Sequence, residues 1–190
     1  MYFNKKAQSN IPRNLSFARF DSYLNASKNK QEALKLYQWN LELSSAYMVP
    51  LHLYEVILRN AVSDAITKAF QSDWHTDGNF EISLQHQLKD RLNDAVSKLT
   101  RSSNNQVPTI GAVIAELSLF FWEGMFTSRH DNVIWRPYFN DVFPFSTQIL
   151  HFSRKRGMLH TSTNKIREVR NRIAHHEPIF DSKFNHTQII

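Results

Sequence analysis

An all-α helical bundle is the fold that the sequence predicts, on three observations. Only four glycines occur in 190 residues, which leaves few places for tight hairpin turns. Strict alternation of apolar and polar residues, the mark of a half-buried strand, is scarce. Apolar residues instead recur at threes and fours along almost the whole chain. The elements follow in order. Over 16–25, Phe17, Phe20 and Leu24 share a face and Ser16 stands where it can cap. Over 30–49, Leu34, Tyr37, Leu41 and Leu43 continue the pattern. Pro50 then breaks or kinks the chain before a second long segment, 51–70, marked by Leu51, Tyr54, Ile57, Leu58, Ala61, Ala65 and Ile66. Residues 71–81 read as a loop that turns at Asp77-Gly78. A polar helix over 84–99 has the seam Leu84, Leu88, Leu92, Val96 and Leu99, and a Ser/Asn loop follows at 102–106. Pro108 and Thr109 open an almost wholly apolar helix, 110–126, expected to run through the centre of the fold. The aromatic, proline-containing stretch 129–145 predicts short helices and turns, and a last helix, about 161–176, is stopped by Pro178. No repeat or long linker divides the chain, so residues 1–190 are expected to form a single domain.

Composition excludes several classes. With 42% hydrophobic and 13% aromatic residues, the chain is far from the disordered regime. No apolar run approaches the roughly 20 residues of a membrane span, and the N-terminal Met-Tyr-Phe-Asn-Lys-Lys has no apolar segment behind its charges, as a secretory signal would. A cytoplasmic protein with no membrane partner is expected. The absence of cysteine removes disulfides, thiolate ligands and cysteine nucleophiles together. His52, His75, His86 and His130 are scattered without carboxylates at ligand spacing, so neither a metal nor another cofactor is expected. Trp74, Trp122 and Trp135 read as core aromatics rather than base-stacking platforms.

Charge is the more informative quantity. The formal surplus of +6 sits wholly within 154–172, where Arg154, Lys155, Arg156, Lys165, Arg167, Arg170 and Arg172 face a lone acid, Glu168. A concentrated surplus points to an anionic partner, nucleic acid being the commonest, with a solvated basic helix as the alternative. The stretch continues as Glu168-Val169-Arg170-Asn171-Arg172-Ile173-Ala174-His175-His176-Glu177-Pro178-Ile179-Phe180. On a helix Ile166, Val169 and Ile173 share a core-facing side, while Asn171 and His175 share another. Arg170 lies about 140° round from His175. The two can meet only if the helix loosens at its end or a second subunit completes the site. Cleavage of RNA by its own 2′-hydroxyl needs a proton acceptor, a proton donor and a cation for the phosphorane charge. A histidine titrating near neutrality can take either proton role, and an arginine fork suits the phosphate. On spacing alone the plainer account is favoured, in which Arg170 pairs with Glu168 or Glu177 and His175 and His176 decorate a helix end.

The segment Arg170-Asn171-Arg172-Ile173-Ala174-His175 also resembles the Arg-x(4–6)-His signature of HEPN superfamily ribonucleases, and His176-Glu177-Pro178-Ile179-Phe180 resembles their Abi-like, abortive-infection (AbiD/AbiF type) branch. Leu53-Tyr54-Glu55-Val56-Ile57-Leu58-Arg59-Asn60 is similar to that branch's LEVxLRN helix, and Val113-Ile114-Ala115-Glu116-Leu117-Ser118-Leu119-Phe120-Phe121-Trp122 to its VAELSFGFW helix. The resemblance implies a HEPN-type bundle and a metal-independent endoribonuclease, usually a homodimer whose two motifs meet at the interface. In that reading Arg170 and His175 are catalytic and Asn171 orients them. His176, Glu177, Glu55, Arg59 and Asn60 support the motif, and Arg154, Lys155, Arg156, Lys165, Arg167 and Arg172 bind RNA. The last two groups have plainer readings, Glu55, Arg59 and Asn60 as satisfied buried polars. A toxin-like role in phage defence follows from the resemblance, with an antitoxin protein or a non-coding RNA as possible partner; a catalytically silent RNA-binding or protein-interaction module is the alternative. The family usually continues into another long helix, whereas ten residues follow Phe180 here, so the C-terminal helix is expected to be cut short after 180.

Overall fold

Helices make up every regular element among the described residues of the computed structural model, which are 10–11, 14–146 and 149–180. The expectations for Phe17's side chain and for residues 181–190 lie outside that set. Eight α-helices are described: α1 (Phe17–Asn25), α2 (Lys30–Phe70), α3 (Gly78–Ser83), α4 (His86–Ser102), α5 (Ile110–Glu116), α6 (Leu119–Gly124), α7 (Arg136–Val142) and α8 (Phe152–Ala174). They form two compact units, one of residues 1–52 and 168–190, the other of residues 53–167. Both α2 and α8 contribute to each.

The all-α prediction holds, and several boundaries move for identifiable reasons. Pro50 does not end a helix: α2 runs through it for 41 residues. Its start carries a capping exchange, in which Asn29 Oδ1 accepts from the Glu32 amide at 3.0 Å while Glu32 Oε2 accepts from the Lys28 amide at 3.2 Å. Ser16 stands at the start of α1, but its side chain makes no capping bond. The expected loop at 71–81 is a 3-10 turn (Trp74–Thr76) followed by α3. Asp77 is the N-cap of α3 rather than part of a loop turn, its Oδ1 accepting from the Asn79 amide at 2.7 Å. The expected apolar helix at 110–126 is two helices, interrupted at Leu117-Ser118. The Leu117 carbonyl freed by the break accepts from Trp122 Nε1 at 3.2 Å, which meets its hydrogen-bonding need inside the core. The final helix starts at Phe152, well before 161.

The larger unit is built round aromatic rings. Trp74, Trp122, Trp135, Phe80, Phe121 and Phe126 are fully buried, with Trp74 edge-on to both Phe80 and Trp122. The seam of α4 packs into the same core through Leu88 and Leu92. Inside it lies one carboxylate, Glu123, only 5% exposed. Two residues of α8 answer it: Asn164 Nδ2 donates to Oε1 at 3.0 Å and Arg167 Nε donates to Oε2 at 2.5 Å. Beside them Tyr54 and buried Thr163 share a hydroxyl–hydroxyl bond of 2.6 Å. The smaller unit has a core of Phe20, Tyr23, Ala33 and Leu34, against which Tyr37 and Phe180 pack.

Two expected outcomes follow. Replacing Glu123 by alanine strands the Arg167 guanidinium and should lower unfolding stability by about 3 kcal/mol, read from urea denaturation. Buried His130 supplies the second: burial first, and the neighbouring Arg129 charge second, push its pKa down from 6.5 to about 4. The unfolded chain therefore takes up a proton near pH 6.5 that the folded chain refuses until about pH 4. Stability from this group is complete above 6.5 and falls as pH drops towards 4, by about 3 kcal/mol in all. Denaturation of wild type and His130→Leu across that window should show wild type losing this amount of stability relative to the variant by the acid end.

Candidate functional site

The motif sits where α8 ends, and the way it ends places the histidines. Ala174 is the last helical residue. His175 caps, its amide donating to the Asn171 carbonyl at 2.9 Å. His176 follows with φ 57°, its amide reaching the Ile173 carbonyl at 3.0 Å, and the Glu177 amide reaches back to the Arg172 carbonyl at 2.8 Å. These are the paired reversals of a Schellman motif, in which the left-handed residue is usually glycine. Here it is histidine. Pro178 lies beyond the stop and is not its cause. An apolar contact usually joins the residues at the two ends of such a motif; in this chain Arg172 and Glu177 occupy those places and form an ion pair, Nε to Oε2 3.8 Å.

The segment after the turn is anchored within the same unit. The Ile179 amide donates to Oδ1 of buried Asn40, on α2, at 2.8 Å. Phe180 packs on Tyr23 with ring centroids 5.2 Å apart. Burial pushes the Tyr23 phenol up to about 12, with Tyr37 adding to the shift. The turn that carries His175 is therefore gripped on both sides, by helical hydrogen bonds before it and by a buried amide and an aromatic contact after it.

Among the sequence-predicted residues, Arg170 is exposed and its Nη1 donates to Oδ1 of half-buried Asn171 at 3.5 Å. His175, His176 and Glu177 are exposed. Glu55 and Arg59 are half-buried and Asn60 is exposed, so Asn60 is not the buried polar group its apolar neighbours suggested. Those three belong to the larger unit, the motif to the smaller. The predicted RNA-binding residues divide. Arg154 is exposed and Lys165 half-buried. Lys155 is 8% exposed, its Nζ bonded to Asn140 Oδ1 at 2.9 Å and Ser146 Oγ at 3.0 Å. Arg156 pairs with Asp131 at 2.6 Å and donates to the Phe126 carbonyl at 2.6 Å. Arg167 holds Glu123. These three serve the fold, and a charge count could not distinguish them from free cations.

Beside the motif is an open cleft of about 980 Å³ whose walls include Ser22, Asn25, Leu36, Trp39, Arg172 and Glu177. Sequence reading passed over Trp39. A signal was available: Trp39 lies about 140° round the helix from Leu34, off the apolar stripe that the core needs. The buried acceptor Asn40 had no such signal.

A family model described as Abi-like protein matches residues 2–181. No curated protein and no solved structure matches the chain. No helix among the described residues is long and apolar enough to cross a membrane.

The left-handed His176 yields a prediction. A β-carbon at this φ carries strain of roughly 1–2 kcal/mol that glycine lacks, partly offset by glycine's greater freedom when unfolded. His176→Gly should thus raise stability by up to about 1 kcal/mol, seen as a higher urea midpoint; a lower midpoint would mean that the imidazole itself holds the turn.

Proposed function

The chain belongs to the Abi-like family, and on that premise we propose that it is a metal-independent endoribonuclease of the HEPN type, in the AbiD/AbiF branch, acting in abortive infection or as a toxin. The observation that carries this reading is the exposed helix end at which Asn171 links the two motif residues, its carbonyl accepting from the His175 amide and its side-chain oxygen from Arg170 Nη1. His175 takes the proton from a ribose 2′-hydroxyl or delivers one to the leaving 5′-oxygen. The new P–O bond closes a 2′,3′-cyclic phosphate as the P–O5′ bond breaks, leaving a 5′-hydroxyl. Arg170 neutralises the charge that builds on the phosphorane oxygens, and the Asn171 amide holds the guanidinium for that task.

One histidine serves one proton transfer at a time. Full acid and base catalysis asks for a second, which a homodimer with its two motifs together would supply, His176 being the nearer alternative. An antitoxin protein or a non-coding RNA would restrain such an activity, and the domain boundary at 1–190 is part of the same proposal.

The test is expression of wild type, His175→Ala and Arg170→Ala, with growth and total RNA followed together. Wild type should arrest growth and fragment RNA, and either substitution should lower the cleavage rate by roughly 10²–10⁴. Equal growth and intact RNA in all three would defeat the reading. RNA held tightly but recovered whole by the wild type would favour the silent binding module.

A further inference from the structure

Three of the four tryptophans are fully buried, and Trp39 is 43% exposed. An exposed indole forfeits burial that a soluble chain ordinarily takes, and this one stands on the wall of the cleft beside the motif. The cleft is not simply apolar. It carries the Arg172 guanidinium, the Glu177 carboxylate and the Asn25 amide, with Leu36 beside them. Its volume is within the range of small-ligand sites. Arg172 and Glu177 are also the two ends of the turn that holds His175 and His176.

A ligand that fits this set has a flat π face for Trp39, edge groups that can donate and accept for Asn25 and Glu177, and negative charge for Arg172. Those are the parts of a nucleotide within a single strand. A peptide could use the indole and the carboxylate, but Arg172 on the cleft wall and Arg170 two residues before it on the same helix end favour an anionic partner. We infer that the Trp39 cleft is a nucleobase subsite, which stacks one base of single-stranded RNA next to the reacting phosphate at the His175 turn. This rests on the ribonuclease reading for the identity of its ligand. Arg170 and His175 act on the phosphate, and Trp39 sets where along the strand it lies.

The test uses full-length protein carrying His175→Ala, so that RNA stays whole, with a labelled single-stranded RNA oligonucleotide and inorganic polyphosphate as probes. Trp39→Leu in this background should weaken oligonucleotide binding roughly ten-fold, the worth of stacking one base, and leave polyphosphate binding unchanged. Trp39→Phe should recover part of the loss. Oligonucleotide should also quench the indole emission of the parent, a signal assignable to Trp39 because the other three rings are buried. Should the leucine variant fail to fold, that quenching decides alone: its presence supports the subsite and its absence overturns it. Unchanged RNA binding by Trp39→Leu, or equal loss of RNA and polyphosphate, overturns it too. Cleavage by protein with His175 intact separates the two ideas. Cleavage without a Trp39 effect removes the subsite and keeps the nuclease; a Trp39 effect without cleavage does the reverse; RNA bound by no form removes both.

Discussion

A carboxylate buried among aromatic rings has to be neutralised, and Glu123 imposes that requirement on the larger unit. Its burial on α6 would cost several kcal/mol if no cation met it. The answer comes from Asn164 and Arg167, three apart on α8 and so on one face of it. With those two bonds made, the rotation of α8 about its own axis in this unit is set. Thr163 must then meet Tyr54, and at the other end Lys155 and Arg156 reach Asn140 and Asp131. Few residues of α8 are apolar, and a row of specific polar contacts does the holding that a hydrophobic stripe does elsewhere.

The smaller unit solves a different problem, how to present an imidazole at a helix end without leaving it loose. Helix termini fray because their last carbonyls lack partners. Here the carbonyls of Arg172 and Ile173 are both taken by the returning chain, at the expense of a histidine in left-handed geometry. Asn40 and the Tyr23–Phe180 contact then fix the chain on the far side. Local strain of this kind persists only where the surroundings over-determine it. The continuation Glu177-Pro178-Ile179-Phe180 thereby has a physical role apart from any chemistry: it closes the turn and anchors it.

Periodicity read the long elements well because they are amphipathic. The α4 seam of Leu88 and Leu92 is buried as expected, and the short helices of 129–145 were visible in the density of aromatics. What it misjudged were places where one local interaction overrides the pattern. Pro50 is absorbed by a helix secured on both sides, the break at Leu117-Ser118 is stabilised by an indole donor within the core, and Asp77-Gly78 caps a helix where its composition suggested a turn. Arg170, Asn171 and His175 stand out as candidates in the sequence through the company of three similar segments in order, not through their spacing alone. Trp39 and Asn40 were not read, since the worth of a single helical Trp or Asn depends on what the fold brings opposite it.

The charge surplus changes meaning once its members are located. Counted along the sequence, seven cations look like one broad surface for RNA. In the fold Lys155, Arg156 and Arg167 are committed to internal partners, and a guanidinium that neutralises a buried carboxylate cannot also neutralise a phosphate. Binding strength from counterion release scales with the number of phosphates met, so the electrostatic share of any RNA affinity is smaller than composition suggests. On the proposed ribonuclease reading, a strand held by fewer phosphate contacts needs contacts of another kind to fix its position against His175. Within the smaller unit the exposed ring of Trp39 is the group suited to that task, because stacking gains most where charge supplies least.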